Sequence, residues 1–368
     1  MSPSRLKFLL GFALVSPIAA AHAEPIGIHK IGVSDHNWIV DGAVDIRYRN
    51  AAPGSRDQIY TQTVELDVQH PITYRGQRKG NVYIQGLLET PQDQGSSSKS
   101  FLRVGEAYIS YQLPILTQTD SLSYIKAGQF PVALGLTPVY DTHLQIMQSL
   151  YPESLGERLD WGLGVDGRFY GVLDYKATMT AGLGPDKITT PKSPVVAFRL
   201  GRLFATPAGA FNIGGSILSG RMPQTAVDPV TGYSPALPPS GYTTAPYGFV
   251  NKTRIAGDGQ WTYQQVTLRA EAVAGADADK RVFGYFVQGE YRFAPGFTAI
   301  AARKSWDYGV GTSKTEDNAV GLNISYGNNL AIRTLAEERH DVPVSATTVG
   351  KSVGHFRHIF TIQLLGRF

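Results

Sequence analysis

From residue 37 to its end the chain is built from short stretches in which apolar and polar residues alternate. A repeat of two puts successive side chains on opposite faces of a strand, whereas a helix needs a repeat near 3.6. The stretches fall near 37–50, 59–71, 81–91, 101–113, 122–134, 161–170, 172–183, 195–206, 211–222, 252–263, 266–276, 281–294, 297–308, 317–327, 329–340 and 355–368, 16 in all. Each has about the length of a tilted strand crossing a bilayer. In 37–50, Trp38, Val40, Gly42, Val44, Ile46 and Tyr48 oppose Asp41, Asp45, Arg47 and Arg49. In 59–71, Tyr60, Val64, Leu66 and Val68 oppose Thr61, Thr63, Glu65, Asp67 and Gln69.

Alternation suits a soluble sandwich, with apolar rows inside, as well as a membrane barrel, with apolar rows outside. The connections separate the two. Those after even-numbered stretches are tight, such as "TPAGA" at 206–210, "APG" at 294–296 and "GNN" at 327–329. Those after odd-numbered ones include the two longest, 135–160 and 223–251. Short turns on one side and long loops on the other predict an outer-membrane barrel with both termini on the periplasmic side. In hydrocarbon every backbone N–H and C=O needs a partner within the protein, so the sheet must close. The expected fold is all-β, a transmembrane antiparallel barrel of 16 strands, wide enough to enclose water. Trp38, Trp161, Trp261 and Trp306 near stretch ends fit interfacial girdles.

Residues 1–23 read as a removable signal peptide: Arg5 and Lys7, the apolar run "FLLGFALV", then Ala21-His22-Ala23 before Glu24. Pro17 interrupts the run, which is short for a spanning helix. The barrel domain is then 24–368. Loss of Arg5 and Lys7 takes Lys+Arg from 34 to 32 against 30 acidic residues, a balance that argues against a nucleic-acid partner. The chain has no cysteine, which removes disulfides, thiolate metal sites and cysteine nucleophiles together. No HExxH or carboxylate–histidine cluster appears. His355 and His358 are three apart, on opposite faces of a strand, and Asp141 with His143 is an isolated loop pair. Neither a cofactor, a metal nor a catalytic set is expected.

The last stretch, "HFRHIFTIQLLGRF", is an apolar-faced strand ending on Phe368. It resembles the assembly signal by which bacterial outer-membrane barrels engage the barrel assembly machinery. "YIKAGQFPVALGL" (124–136), with Gly128, Gln129, Phe130, Pro131 and Gly135, and "ERLDWGLGVDGRFYGVLDYKATMTAGLG" (157–184), with Arg158, Gly162, Gly164 and Gly167, resemble the porin family that includes the phosphate-selective porins. That resemblance implies a 16-stranded barrel in outer-membrane lipid, often trimeric, with the third extracellular loop folded inward as a constriction. Here that loop is 135–160. Asp141 is placed to cap a short helix carrying Leu144, Met147, Leu150 and Tyr151 and stopped by Pro152.

With polar rows assigned to the lumen, the first four stretches contribute Asp41, Asp45, Glu65, Asp67, Glu89 and Glu106, with Arg47 and Arg49 as basic companions. Later ones contribute Arg199, Arg254, Arg269, Arg292, Arg303, Arg333 and Arg357, with Glu271, Glu290 and Glu337 among them. The loop adds Asp141, Glu153, Glu157 and Asp160 against one Arg158. Opposed charges across a watery gap orient polar solutes, and arginine rings bias a pore toward anions. Lumenal charges also pair with each other across strands. The expected function is passive diffusion of small hydrophilic or anionic solutes across the outer membrane of a Gram-negative bacterium, with mild anion preference. A sleeve or docking barrel for a partner protein at the cell surface is the alternative. The loop lacks the lysine cluster of the phosphate-selective members.

Overall fold

The computed structural model describes residues 38–51, 58–89, 101–113, 122–138, 145–156, 158–170, 172–184, 194–223, 249–309, 314–342 and 355–368. Residues 1–23, Asp141, His143 and Glu157 lie outside these, as does most of the loop 223–251. The strands are β1 (Ile39–Ala51), β2 (Gln58–Tyr74), β3 (Gln77–Glu89), β4 (Phe101–Gln112), β5 (Leu122–Pro131), β6 (Leu159–Phe169), β7 (Leu173–Thr180) and β8 (Val195–Thr206). They continue with β9 (Gly209–Pro223), β10 (Phe249–Tyr263), β11 (Val266–Asp277), β12 (Lys280–Ala294), β13 (Phe297–Asp307), β14 (Lys314–Tyr326), β15 (Leu330–Val342) and β16 (His355–Arg367). Among the described residues one short helix, α1 (Tyr151–Ser154), interrupts the series.

Each strand pairs antiparallel with its sequence neighbours, and β1 pairs with β16, so the sheet is a closed barrel. The 16 expected stretches correspond one to one with these strands. Closure satisfies the backbone: Gly42 N donates to Phe368 O and Phe368 N to Gly42 O, each at 3.0 Å. Two-residue turns join β2 to β3, β8 to β9, β10 to β11 and β12 to β13, all on the side that carries both ends of the described chain.

One row of each strand is apolar and exposed. Leu66, Ile84, Leu102, Ile125, Leu163, Ile217, Ile255, Leu268, Val287 and Leu364 stand on this outer face around most of the barrel. The alternate rows hold Asp45, Glu65, Arg199, Arg254, Glu271 and Lys304, all buried. An apolar exterior around a polar interior reverses the arrangement of a soluble sandwich and suits hydrocarbon. At the short-turn rim, Phe204 stacks on Phe211 at 5.2 Å, and Trp261 lies 6.3 Å from Phe211 and 6.2 Å from Tyr263. Trp261 Nε1 donates to Ala208 O at 2.8 Å, giving the amphipathic ring its polar contact. Trp38, nearly half exposed, lies 4.5 Å from His70.

Trp306 departs from the girdle expectation. It is 1% exposed, on the inward row with Lys304, and the Arg254 guanidinium lies 5.7 Å from its ring. Pro152 departs as well. It stands in the first turn of α1 rather than ending a helix, where its missing N–H has no partner to lose.

The seam has little room. A Cβ on Gly42 would sit 2.5 Å from the Phe368 ring and 2.9 Å from Glu65 O, whereas one on Gly366 would meet nothing within 4 Å. Gly42→Leu should therefore cost about 1–3 kcal/mol through overpacking and lower the folded fraction in a heat-modifiability gel. Gly366→Ala, on the same outer row, should leave that fraction unchanged.

Candidate functional site

The largest group of buried apolar side chains lies inside the barrel. Val132, Leu134, Leu136, Met147, Leu150 and Leu155, from the segment between β5 and β6, pack against Val195, Leu218, Val273, Phe286, Trp306 and Leu335 from the wall. The same segment reaches polar groups on widely separated strands. Gly135 N donates to Ser216 Oγ at 3.0 Å, and Arg47 Nη2 donates to Gln145 O at 3.4 Å. A single segment contacts β1, β9, β11 and β13 together only by lying within the closed wall.

Glu271 is the centre of this attachment. Its carboxylate accepts from Leu136 N and Leu150 N, each at 3.1 Å, tying both arms of the segment to β11. Gly135 makes the approach possible, because its φ is +55° and a Cβ there would lie 1.7 Å from Glu271 Oε1. Farther along, Lys252 Nζ donates to Leu155 O at 3.1 Å and Arg254 Nε to Ser154 O at 3.2 Å. These two cations receive the carbonyls at the end of α1, where the helix has no further N–H to offer. Lys304 Nζ is 2.8 Å from Glu153 and 3.5 Å from Asp317, and Arg339 closes on Asp317 at 2.9 Å.

The expected basic row divides into distinct environments. Arg199 is bound to Asp258 through Nε at 3.0 Å and through Nη2, with both side chains almost fully buried. Arg254 pairs with Asp277 as well as holding Ser154. Arg269 pairs with Glu290 and donates to Gln260 at 3.0 Å, on a partly exposed part of the inner wall. Arg333 faces inward, where Nη1 donates to Gln363 Oε1 at 3.4 Å. Arg292 is exposed at the short-turn end of β12, beside a register shift, and the side chain of Arg357 lies outside the described residues. Of the acidic set, Glu153 pairs with Lys304, and Asp160 accepts from Trp161 N at 2.9 Å and from Gly182 N. Asp160 therefore braces the start of β6.

Arg303 corrects the sequence reading. It pairs across strands with Val287 and Asn318, and its Nε donates to the Tyr285 hydroxyl at 2.9 Å. Val287 is 46% exposed on the outer face, so Arg303 stands there as well. Arg303 and Lys304 are consecutive, and a strand admits one of them to the lumen. Lys304 takes that place. Lys252 is a functional group that sequence reasoning did not name, and for Glu271 it gave the lumenal position without the contacts. Glu271 was visible as one member of an alternating polar row, but its partners lie more than 120 residues away in the chain, a distance no local pattern spans.

Elsewhere on the inner wall, on β5 to β7, the pairs are wetter. The side chains of Lys126 and Asp166 are 19% and 26% exposed at 2.9 Å, and those of Arg168 and Asp174 are 23% and 25% exposed at 2.6 Å. Arg199 and Asp258, at 3% and 1%, mark the contrast. Water screens the first pairs and is excluded from the second. Tyr83 donates to Asp67 at 2.9 Å and Gln85 to Glu65 at 2.9 Å on the adjoining wall. Among the described residues no group of His, Asp or Glu is placed to hold a metal ion.

This architecture defines a class, the 16-stranded transmembrane β-barrels. No protein-family profile matches the chain, and no curated protein sequence matches it. Solved structures do. The trimer form of OmpT, an outer membrane protein of Vibrio cholerae, superimposes with a TM-score of 0.61 at 10% identity, over 91% of this chain and 100% of that one. The anion-selective porin from Comamonas acidovorans gives 0.60 at 11% identity over 90% and 99%. OmpF of Salmonella typhi, in complex with daunomycin, gives 0.58 at 11% identity over 90% and 97%. At these identities the likeness is one of fold: the chain has the fold of the bacterial outer-membrane porins.

Glu271→Ala should leave two buried backbone N–H groups unpaired, at about 1–3 kcal/mol each. The expected result is a lower urea midpoint, together with faster hydrogen exchange across 132–155. Unchanged exchange there would contradict the role given to Glu271.

Proposed function

We propose that the protein is a non-enzymatic, passive channel for small hydrophilic solutes and ions in the outer membrane of a Gram-negative bacterium, with residues 1–23 removed on export. The observation that carries this reading is the division of the inner wall. On one side a segment is held by apolar packing and dry polar bonds against β8 to β15, with further bonds to β1 and to the end of β7. On the other, ion pairs on β5 to β7 stay partly exposed to water. The attached segment is the proposed constriction, and the solute path runs between it and the wall of β2 to β7. A path lined by charged and hydroxyl groups replaces the hydration of a polar solute and offers nothing comparable to an apolar one.

The proposed selectivity is a mild preference for anions. Arg269, Arg292 and Arg333 support it, since all three are inward positions on the short-turn half of the barrel and retain exposure. The solved porin of Comamonas acidovorans that shares the fold is described as anion-selective. Arg199 and Arg254 enter the proposal only as scaffold, because burial against Asp258 and Asp277 neutralises their far field. Dedicated phosphate recognition is left out, since 135–160 contains no lysine. Assembly as a homotrimer is part of the same proposal.

Purified protein in a planar bilayer under a KCl gradient should show stepwise conductance and a reversal potential on the anion side. The combined substitution Arg269→Gln, Arg292→Gln and Arg333→Gln should move that potential toward the cation side while the steps persist. Wild-type cation preference would contradict the selectivity, and absence of conductance would contradict the channel.

A further inference from the structure

Lys126, Lys252 and Lys304, all on inward rows, are each held within the protein. Lys126 Nζ is 2.9 Å from Asp166, Lys252 Nζ donates to Leu155 O at 3.1 Å, and Lys304 Nζ is 2.8 Å from Glu153. Lys176 on β7 is the exception. It stands on the inward row, directly opposite Asp166 of β6 on one side and Arg199 of β8 on the other. Asp166 is closed on Lys126, and Arg199 on Asp258. Among the described residues Lys176 makes neither an ion pair nor a hydrogen bond, and it is only partly buried.

Position gives this ammonium its significance. Thr178, the next residue on the same row, accepts from Ala133 N of the attached segment at 3.4 Å through its hydroxyl. Lys176 lies one pleat away, roughly 7 Å along the strand toward the short-turn rim. It therefore stands where the segment meets the wall of β2 to β7, at the edge of the proposed constriction. An ammonium has three N–H donors and no acceptor. As a compact point charge it accepts an anionic oxygen or a halide from many directions, without the planar match that a guanidinium demands. Asp166 and Glu106 are the acidic groups in its field, and Lys126 and Arg199 the basic ones.

We propose that Lys176 forms an anion-binding subsite at the edge of the constriction, and that it takes small solutes carrying a single negative group. The neighbouring carboxylates set the class. One carboxylate on a solute meets the ammonium, whereas a second is set against Asp166 and Glu106, in a gap where charges are screened less than in bulk water. The inference rests on the channel reading and deepens it. Arginines at the short-turn half bias which ions enter, and that requires no residence at a site. A subsite holds the solute, so transport through it saturates.

Single-channel conductance in a planar bilayer tests this, with acetate as the probe and a bulky organic cation that leaves the current to the anion. Wild-type conductance should level off as the acetate salt is raised. Lys176→Gln should raise the half-saturating concentration roughly tenfold, the order expected for one lost charge contact in a partly watery site. Lys176→Arg should restore the levelling, which separates the effect of charge from that of side-chain packing. Lys176 has no contact to lose, so both variants should match the wild type in a heat-modifiability gel. The succinate salt, with two carboxylates, should saturate only at higher concentration than acetate. A conducting wild type without saturation, an unchanged curve in Lys176→Gln, or tighter binding of succinate would overturn this inference and leave the channel standing. Absence of conductance would overturn the channel reading and this one with it.

Discussion

Pairing of the backbone at the seam between β1 and β16 is the constraint on which the rest of this structure depends. A sheet left open in hydrocarbon would expose a full edge of N–H and C=O groups, each costing several kcal/mol. The seam is made by β1 and β16, so the barrel closes only where these two strands pair. The bonds of Phe368 with Gly42, and the ring lying where a Cβ of Gly42 would be, give the chain's ending a structural meaning. Closure also fixes the inside. Once the wall is continuous, polar rows have only the lumen to face, and a segment between two strands can be drawn in and held there.

Electrostatics in that interior follows water rather than charge count. The arginines of the later strands look from composition like a basic screen. Two of them, Arg199 and Arg254, are committed to buried carboxylates, and Arg254 and Lys252 also support carbonyls of the attached segment. A buried pair of this sort contributes geometry more than net stability, and removing one partner is costly because a charge is then stranded. The exposed pairs on β5 to β7 behave differently, since screening leaves them weak and able to exchange partners with a passing ion. One face of the lumen thus serves as scaffold and the other as the wetted wall of the proposed path.

Much of this was legible in the sequence because a strand has a repeat of two and a membrane barrel imposes it on every strand. The number of strands follows from that repeat, and the side of the short turns follows from the lengths of the connections. Alternation fails where the backbone slips. Opposite β1 the register passes from Thr63 to Thr61, so Tyr60 falls opposite Arg47 although simple parity sets it with Val64. It is silent where two charges are adjacent, as at Arg303 and Lys304. It has no means of reporting contacts across the lumen, so Glu271 and Trp306 read as ordinary members of their strands. Those positions are decided by what the segment between β5 and β6 covers, a three-dimensional fact with no local trace.

The proposed channel requires a water-filled passage between the attached segment and the wall of β2 to β7. Lys126→Cys places a single thiol on that wall in a chain that otherwise has none. Single-channel current should be recorded before and after adding a membrane-impermeant, cationic thiol reagent. A stepwise fall in conductance as each channel reacts is the predicted result. A conducting channel whose current does not change on complete labelling would place the passage elsewhere and contradict the proposed path.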